Sequence, residues 1–171
     1  MRAVLQISGG QDSLACLYHV EHALDNILVM WANPGAPSAE LTALMKAVKA
    51  TVPHFKEVTG NVAEYRKEKG SPDEGSWTAC CGTNIWWPMH AACVEAGASL
   101  ILRGAKRCDP INFIGPGYTA YGIRYEFPIW NWSDKQVQAF LVGRALKPVY
   151  PHDCHDCPVT KICDRRVLEA A

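Results

Sequence analysis

Residues 3–13, Ala3-Val4-Leu5-Gln6-Ile7-Ser8-Gly9-Gly10-Gln11-Asp12-Ser13, decide the fold class. The apolar run Ala3–Ile7 reads as a strand, and Leu14, Leu17 and Val20 recur at helical spacing across Asp12–Leu24. Between them, Gly9 and Gly10 can take positive φ and bring the backbone close to a ligand with no Cβ in the way. A strand, a glycine turn and a helix start in this order aim several groups at one point: the turn N–H groups, the Ser8 and Ser13 hydroxyls and the helix N-terminus. Such a point suits an anion, above all a phosphate or sulfate. A plain connecting turn would account for the glycines, but not for two flanking serines and an acidic residue.

The alternation continues downstream. Ile27–Trp31 reads as a second strand ending in the turn Asn33-Pro34-Gly35. Ser38 is placed to cap a helix running to about Ala50, and a short strand follows over Phe55–Val58. Gly70–Thr78 has the composition of a loop and is the expected mobile lid. A helix is predicted over Ile85–Ala96, with Ile85, Met89 and Cys93 at helical spacing. The apolar strand Ser99–Arg103 then leads into a polar loop, Gly104–Asp109. Gly115-Pro116-Gly117 marks a turn before an extended Tyr118–Pro128, and Ser133 can cap a last helix over Asp134–Val142. Strands separated by helices predict one Rossmann-like α/β domain over residues 1–147, its parallel sheet flanked by helices, with a cysteine-rich tail at 148–171. Ligands in such sheets lie at the carboxyl ends of the strands, where the glycine loop, Asn33–Gly35 and Arg103–Arg107 converge.

A chain of 171 residues is one ordinary domain with room for a real core, and 49% hydrophobic with 20% charged residues is a soluble globular composition. Lys plus Arg and Asp plus Glu are both 17, so the formal net charge is zero, which argues against a broad nucleic-acid or anionic-membrane surface. No apolar run has the length of a membrane span, and the N-terminus enters a strand at once, leaving no room for a signal peptide. Eight cysteines in that setting read as thiols or metal ligands in a reducing cytoplasm rather than as disulfides.

Cys80 and Cys81 are adjacent, while Cys154 and Cys157 form a C-x-x-C. A disulfide within the adjacent pair would be strained, so both thiolates are better placed to reach a metal. Four soft thiolates suit zinc or an iron–sulfur cluster, and Cys163 is a candidate substitute ligand because Cys157 and Cys163 extend the array as C-x-x-C-x5-C. Cys16 and Cys93 lie on apolar helix faces and read as core. Cys108 borders the basic loop, and His152 and His155 flank the C-x-x-C as candidate donors to the ligands. Trp86 and Trp87 read as shields of core or cluster rather than as base-stacking platforms.

The Ser8–Ser13 loop resembles the PP-loop (SGGxDS) of the ATP pyrophosphatase superfamily, whose fold is adenine nucleotide alpha hydrolase-like. A Cys-Cys pair followed by a distant C-x-x-C resembles the [4Fe–4S] ligand set of assimilatory adenylylsulfate (APS) reductases, within the phosphoadenylylsulfate (PAPS) reductase family. Trp31–Gly35 looks like that family's second-strand segment bordering the nucleotide. Arg103–Arg107 occupies the place of its arginine-bearing loop, and Pro128–Ser133 that of the segment leading into its late helix. The resemblance implies that Ser8, Gly9, Gly10, Gln11, Asp12, Ser13, Asn33, Gly35, Arg103, Gly104, Lys106 and Arg107 hold APS or PAPS. It implies that Cys80, Cys81, Cys154 and Cys157 hold a [4Fe–4S] cluster, and that a cysteine thiolate reduces the sulfonucleotide to sulfite with a thioredoxin-type reductant. Cys163, whose basic neighbours favour the thiolate, is the candidate nucleophile.

Three departures qualify these expectations. Gln11 stands where many relatives have Lys. Gly82-Thr83-Asn84 follows the cysteine pair where reductases carry a basic residue, and the Glu-Cys-Gly-Leu-His tail motif is missing. Two alternatives stay open: an ATP-dependent sulfurtransferase that adenylates a nucleic acid and needs Mg²⁺, and a catalytically degenerate adenine-nucleotide-binding protein. A homo-oligomer is compatible with either.

Overall fold

A computed structural model describes residues 2–35, 37–70, 77–109 and 114–149. Its six-stranded sheet has the order β3-β2-β1-β4-β6-β5. The strands are β1 (Arg2–Ile7), β2 (Ile27–Asn33), β3 (Phe55–Thr59), β4 (Ala98–Arg103), β5 (Thr119–Ala120) and β6 (Ile123–Glu126). All neighbours are parallel except β5 and β6, which form an antiparallel hairpin. The helices are α1 (Gln11–His19), α2 (Ala39–Thr51), α3 (Val62–Lys69), α4 (Trp77–Cys81), α5 (Trp87–Glu95) and α6 (Asp134–Leu141). This is the expected α/β architecture with helices on both faces.

Strand alternation divides the core in two. Leu5, Ile7, Val29, Trp31 and Leu102 face α1, α2 and α6. Val4, Met30 and Ile101 face α5, packing on Met89, Ala92 and Cys93. Ser38 caps α2 by accepting from the Leu41 N–H at 3.1 Å. Ser133 and Gln136 form a reciprocal capping box on α6.

Four elements differ from expectation. The first helix ends at His19, and Glu21–Asn26 winds more tightly as a 3₁₀ segment with no buried residue before delivering the chain into β2. The helix expected from Ile85 begins at Trp77, so Trp77 and Thr78 of the expected Gly70–Thr78 loop are helical, and residues 71–76 lie outside the described residues. Between α4 and α5, Gly82–Trp86 is π-helical. Pro88 cannot donate to the Asn84 carbonyl, and the helix widens just before it. Helix α3 escaped the periodicity because Val62 is its only buried residue; Asn61 caps it by accepting from the Glu64 N–H at 3.2 Å.

Of the cysteine-rich segment only Pro148 and Val149 are described, and the Val149 N–H donates to the Gly9 carbonyl at 3.1 Å. Cys154, Cys157, Cys163, His152 and His155 lie outside the described residues.

Candidate functional site

Strand β1 sits between β2 and β4, and the chain order reverses there, which opens a crevice at the carboxyl ends of β1 and β4. The two loops that leave these ends touch. A Cβ on Gly104 would stand 2.2 Å from the Asp12 carbonyl oxygen, so only glycine permits the approach. Gly9 has φ +92° and packs under α2, where an added Cβ would meet Leu41 at 2.5 Å.

Ser13 braces the glycine turn from inside. Its Oγ accepts from the Gly9 N–H at 3.1 Å, donates to the Gly10 carbonyl at 2.8 Å and lies 3.5 Å from Ser8 Oγ. Gly10 is the N-cap of α1 and supplies no side-chain cap, so the first amides of the helix keep their donor capacity on this side.

A cavity of about 680 Å³ fills the crevice on the α5 face. Its floor carries Ser8, Ser13, Gly104 and Arg103; the far wall is aromatic, with Trp87 and Tyr121 among its rings. Gln6 and Arg103 are register partners on β1 and β4, which sets both side chains on the cavity face of the sheet. The half-buried Arg103 guanidinium forms no ion pair among the described residues. Burial draws it below its ordinary value, the Tyr125 phenol nearby opposing that shift. A cation so placed is best relieved by an anion delivered into the cavity.

Lys106, three residues on, is placed differently. Its side chain is 1% exposed, and its ammonium is held by Asp12, by Asp109 at 3.3 Å and by Asp134 at 3.2 Å. Burial alone would lower its affinity for the proton, but the three carboxylates outweigh it and raise the pKa. For Asp12 the balance runs the other way: burial pushes its carboxyl up by more than Lys106 draws it down. Lys106 therefore ties the glycine loop to the β4 loop and α6, instead of facing the cavity as the sequence suggested. Arg107 is exposed, and its N–H donates to the Trp130 carbonyl. Cys108 is exposed beside it.

The Asn33–Gly35 turn is likewise committed to structure. Asn33 donates to Glu57 and accepts from the Gly35 N–H at 2.8 Å, and Gly35 at φ +109° packs against the Gly60 carbonyl. Gln11 and Asp12 are half-buried on the first turn of α1.

Cys80 is buried and Cys81 half-buried at the end of α4, where the helix widens. Asn84 Nδ2 donates to the Cys80 carbonyl at 3.0 Å and lies 4.0 Å from Cys80 Sγ, while Asn84 Oδ1 accepts from the Asn61 N–H at 3.1 Å. Among the described residues no group of three or more His, Cys, Asp or Glu is arranged to hold a metal ion. Two adjacent thiols beside an amide donor fit half of a cluster's ligand set. Cys16 and Cys93 are core residues, and burial pushes the Cys16 thiol up to about 12.

Sequence reasoning missed the aromatic wall. His90, Tyr118, Tyr121 and Tyr125 reach the cavity from α5 and the β5–β6 hairpin. The available signal was Tyr121-Gly122, a two-residue turn inside a stretch expected to be extended. Trp86 and Trp87, expected as shields, are 36% and 59% exposed at the cavity. No helix of the described residues is long and apolar enough to cross a membrane.

The profile of the family described as phosphoadenosine phosphosulfate reductase domain matches residues 2–153. No curated protein sequence matches the chain. Among solved structures, the phosphoadenylyl-sulfate (PAPS) reductase from Candida auris, in its phosphate complex, is 19% identical with a TM-score of 0.63, over 86% of this chain and 75% of that one. The U34-tRNA thiolase from Methanococcus maripaludis with its [4Fe–4S] cluster is 15% identical with a TM-score of 0.67, over 96% of this chain and 65% of that one. A predicted subunit of tRNA methyltransferase from Methanocaldococcus jannaschii is 18% identical with a TM-score of 0.50, over 83% and 76%. At these identities the structural likenesses speak to the fold.

Proposed function

This chain belongs to the phosphoadenosine phosphosulfate reductase domain family, and from that premise we propose that it binds an adenosine phosphosulfate, APS or PAPS, and reduces it to sulfite. The observation that carries the reading is the cavity floor: Arg103, without an ion pair among the described residues, beside Ser8, Ser13 and the uncapped start of α1. In this reading Ser8–Ser13, Gly104 and Arg103 hold the phosphosulfate, and Lys106 positions the two loops that do so. Asn33 and Gly35 shape the rim of the crevice, and Arg107 adds charge outside it.

The proposed step is a displacement at sulfur. A cysteine thiolate, assigned to Cys163, forms an S–S bond to the sulfonate. The sulfur–oxygen bond to the phosphate breaks, and AMP or its 3′-phosphate analogue leaves with the electron pair. A thioredoxin-type dithiol then supplies two electrons, releasing sulfite and closing to its own disulfide. Such a cycle belongs in a reducing cytoplasm.

Cys80 and Cys81, with Cys154 and Cys157 or with Cys163 as substitute, would hold a [4Fe–4S] cluster. The chain's own part is to bury Cys80 and to fix the turn through Asn84.

The competing ATP-dependent sulfurtransferase reading draws on the fold shared with the cluster-bearing tRNA thiolase. It would need Mg²⁺ beside the pyrophosphate, and the acidic side chain of the glycine loop, Asp12, is committed to Lys106. Gln11 also offers no charge to a phosphate chain.

The test is sulfite release from APS and PAPS by anaerobically purified protein with a dithiol donor. Iron and acid-labile sulfide per chain are measured alongside for Cys80→Ser and Cys163→Ser. Sulfite from one nucleotide, with cluster lost only in Cys80→Ser, is the expected result. No sulfite from either overturns the reductase assignment, and pyrophosphate release from ATP would select the alternative.

A further inference from the structure

Four polar or charged side chains are buried among the described residues: Ser13, Asn33, Asn84 and Lys106. Ser13 braces the glycine turn, Asn33 braces the turn after β2, and Lys106 joins the glycine loop to the β4 loop. Asn84 lies in the cysteine turn, 6% exposed, where the helix between α4 and α5 widens. A buried amide costs free energy unless its hydrogen bonds are made, and an apolar residue would fill the same space without that cost. Single π turns of this kind are frequent at functional sites.

Both ends of the Asn84 amide are engaged. Oδ1 accepts from the Asn61 N–H at 3.1 Å, and Nδ2 donates to the Cys80 carbonyl at 3.0 Å. A primary amide carries two N–H bonds, and Nδ2 also lies 4.0 Å from Cys80 Sγ, the outer reach of a donor to sulfur. A metal-bound cysteine is a thiolate. Hydrogen bonds to an ionised acceptor are shorter and roughly twice as strong as those to a neutral one.

The loop that meets Oδ1 belongs equally to the crevice. Of three consecutive amides there, Gly60 donates to the Asn33 carbonyl at 2.8 Å and Val62 to the Pro34 carbonyl at 3.1 Å. The middle one, Asn61, serves Asn84. Gly60 approaches so closely that a Cβ on it would stand 2.0 Å from the Asn84 carbonyl oxygen. One side chain thus joins the rim of the crevice to the cysteine pair.

We propose that Asn84 is a positioning residue for the metal-bound Cys80 thiolate. Its Nδ2 donates to that sulfur, and its Oδ1 holds the cysteine turn to the loop that carries the crevice rim. The proposal rests on the cluster reading of Cys80 and Cys81. It gives the ligand sulfur a neutral donor in a turn, Gly82–Trp86, that carries no charged residue. Cys80 is buried, so the bond is made where water competes little and electrostatic interactions are strengthened. A donor to a ligand sulfur favours the reduced, more negative form of a cluster and so raises its potential.

The experiment uses full-length protein purified anaerobically. Iron and acid-labile sulfide are counted, and the potential is taken from a redox titration followed by electron paramagnetic resonance. Asn84→Asp keeps an acceptor for the Asn61 N–H and loses the donor. Asn84→Leu loses both and adds no charge, with Asn84→Ala as its replacement should the leucine variant fail to fold. Hydrogen exchange at the Asn61 amide of the iron-free chain reports the clamp separately. In Asn84→Asp that amide should stay protected as in the parent. The one-electron equilibrium constant for reduction should fall about tenfold, the low end for a hydrogen bond to a charged group, which is about 59 mV. Asn84→Leu should show the same downward shift, with exchange at Asn61 about tenfold faster. Iron lost from either variant while its circular dichroism stays parental is the stronger form of the same result. A parental potential in both variants, or a shift in Asn84→Asp alone, which the added charge would explain, overturns the donor role. Parental exchange at Asn61 in Asn84→Leu overturns the clamp. A parent without iron overturns the cluster reading and the donor role with it, whereas an iron-loaded parent beside unshifted variants overturns the donor role alone.

Discussion

Replacing Lys106 by Met tests whether the glycine loop is held in place by charge. Met keeps most of the aliphatic volume of the side chain, so the perturbation is electrostatic first. In the parent, one ammonium with 1% side-chain exposure serves carboxylates that are 23%, 14% and 33% exposed. Without it, three like charges face one another with no cation between them. Breaking a buried ion pair costs about 3–5 kcal/mol, and the partial exposure of the aspartates argues for the lower end. At about 2–4 °C per kcal/mol for a domain of this size, the melting temperature should fall by roughly 6–12 °C.

The pH dependence gives a sharper signature. Asp12 has a folded pKa above its ordinary 3.8, so between those two values the native state binds more protons than the unfolded one. Stability from that group therefore falls as pH rises through the window. Removing Lys106 takes away the nearest group that lowers the Asp12 pKa, and so extends the window upward. The deficit of Lys106→Met should then be largest near neutrality and shrink as the pH is lowered through that window. The lysine's own contribution has the opposite range. Its folded pKa is raised above 10.5, so its stabilisation is complete below that value and is lost as the pH climbs through the folded one. Parent and variant should converge again in strong alkali. Thermal unfolding followed by circular dichroism across this range is the assay. A melting temperature within about 2 °C of the parent, a shift small on the scale above, would refute the reasoning. So would a deficit that does not change with pH.

Arg103→Ala should weaken adenosine 5′-monophosphate about ten- to a hundredfold, the worth of a charged hydrogen bond, with little change in melting temperature; unchanged affinity in calorimetry would remove Arg103 from the site. In Gly60→Ala the new Cβ would stand 2.0 Å from the Asn84 carbonyl oxygen, so the loop after β3 must part from the cysteine turn. A loss of about 1–3 kcal/mol in urea unfolding is expected from such overpacking, and an unmoved midpoint would show that the two segments are not in contact. With the Cys16 thiol at about 12 and buried, and Cys93 also raised by burial, iodoacetamide at neutral pH should modify exposed Cys108 well before either of them. Peptide mass spectrometry that finds Cys16 labelled as fast as Cys108 would contradict the burial.

The sheet was legible because its strands announce themselves. Ala3–Ile7, Ile27–Trp31 and Ser99–Arg103 are short apolar runs bounded by polar turns, and each lies within an observed strand. Helix α3 was not legible, since a helix that buries only Val62 has no apolar stripe to recognise. The π segment at Gly82–Trp86 was hidden for another reason: it follows from Pro88 and from the close approach of Gly60 to Asn84. The first is visible in the sequence, but the second joins residues far apart along the chain.

Arg103 and Lys106 show where reading a site from sequence stops. They are two cations of one loop, three positions apart, and composition gives each the same claim on an anion. Their fates diverge through neighbours that only the fold assembles. Arg103 is the last residue of β4 and is paired in register with Gln6, so strand alternation turns it to the α5 face and into the cavity. Lys106 comes after the strand has ended, and what meets it there is Asp12 from the glycine loop, Asp109 from its own turn and Asp134 from the first turn of α6. The same Asp12 that looked like part of an anion-binding loop thus neutralises the lysine expected to help bind the anion. The loop's acidic residue and the second loop's lysine are committed to each other, and Arg103 is left facing the cavity.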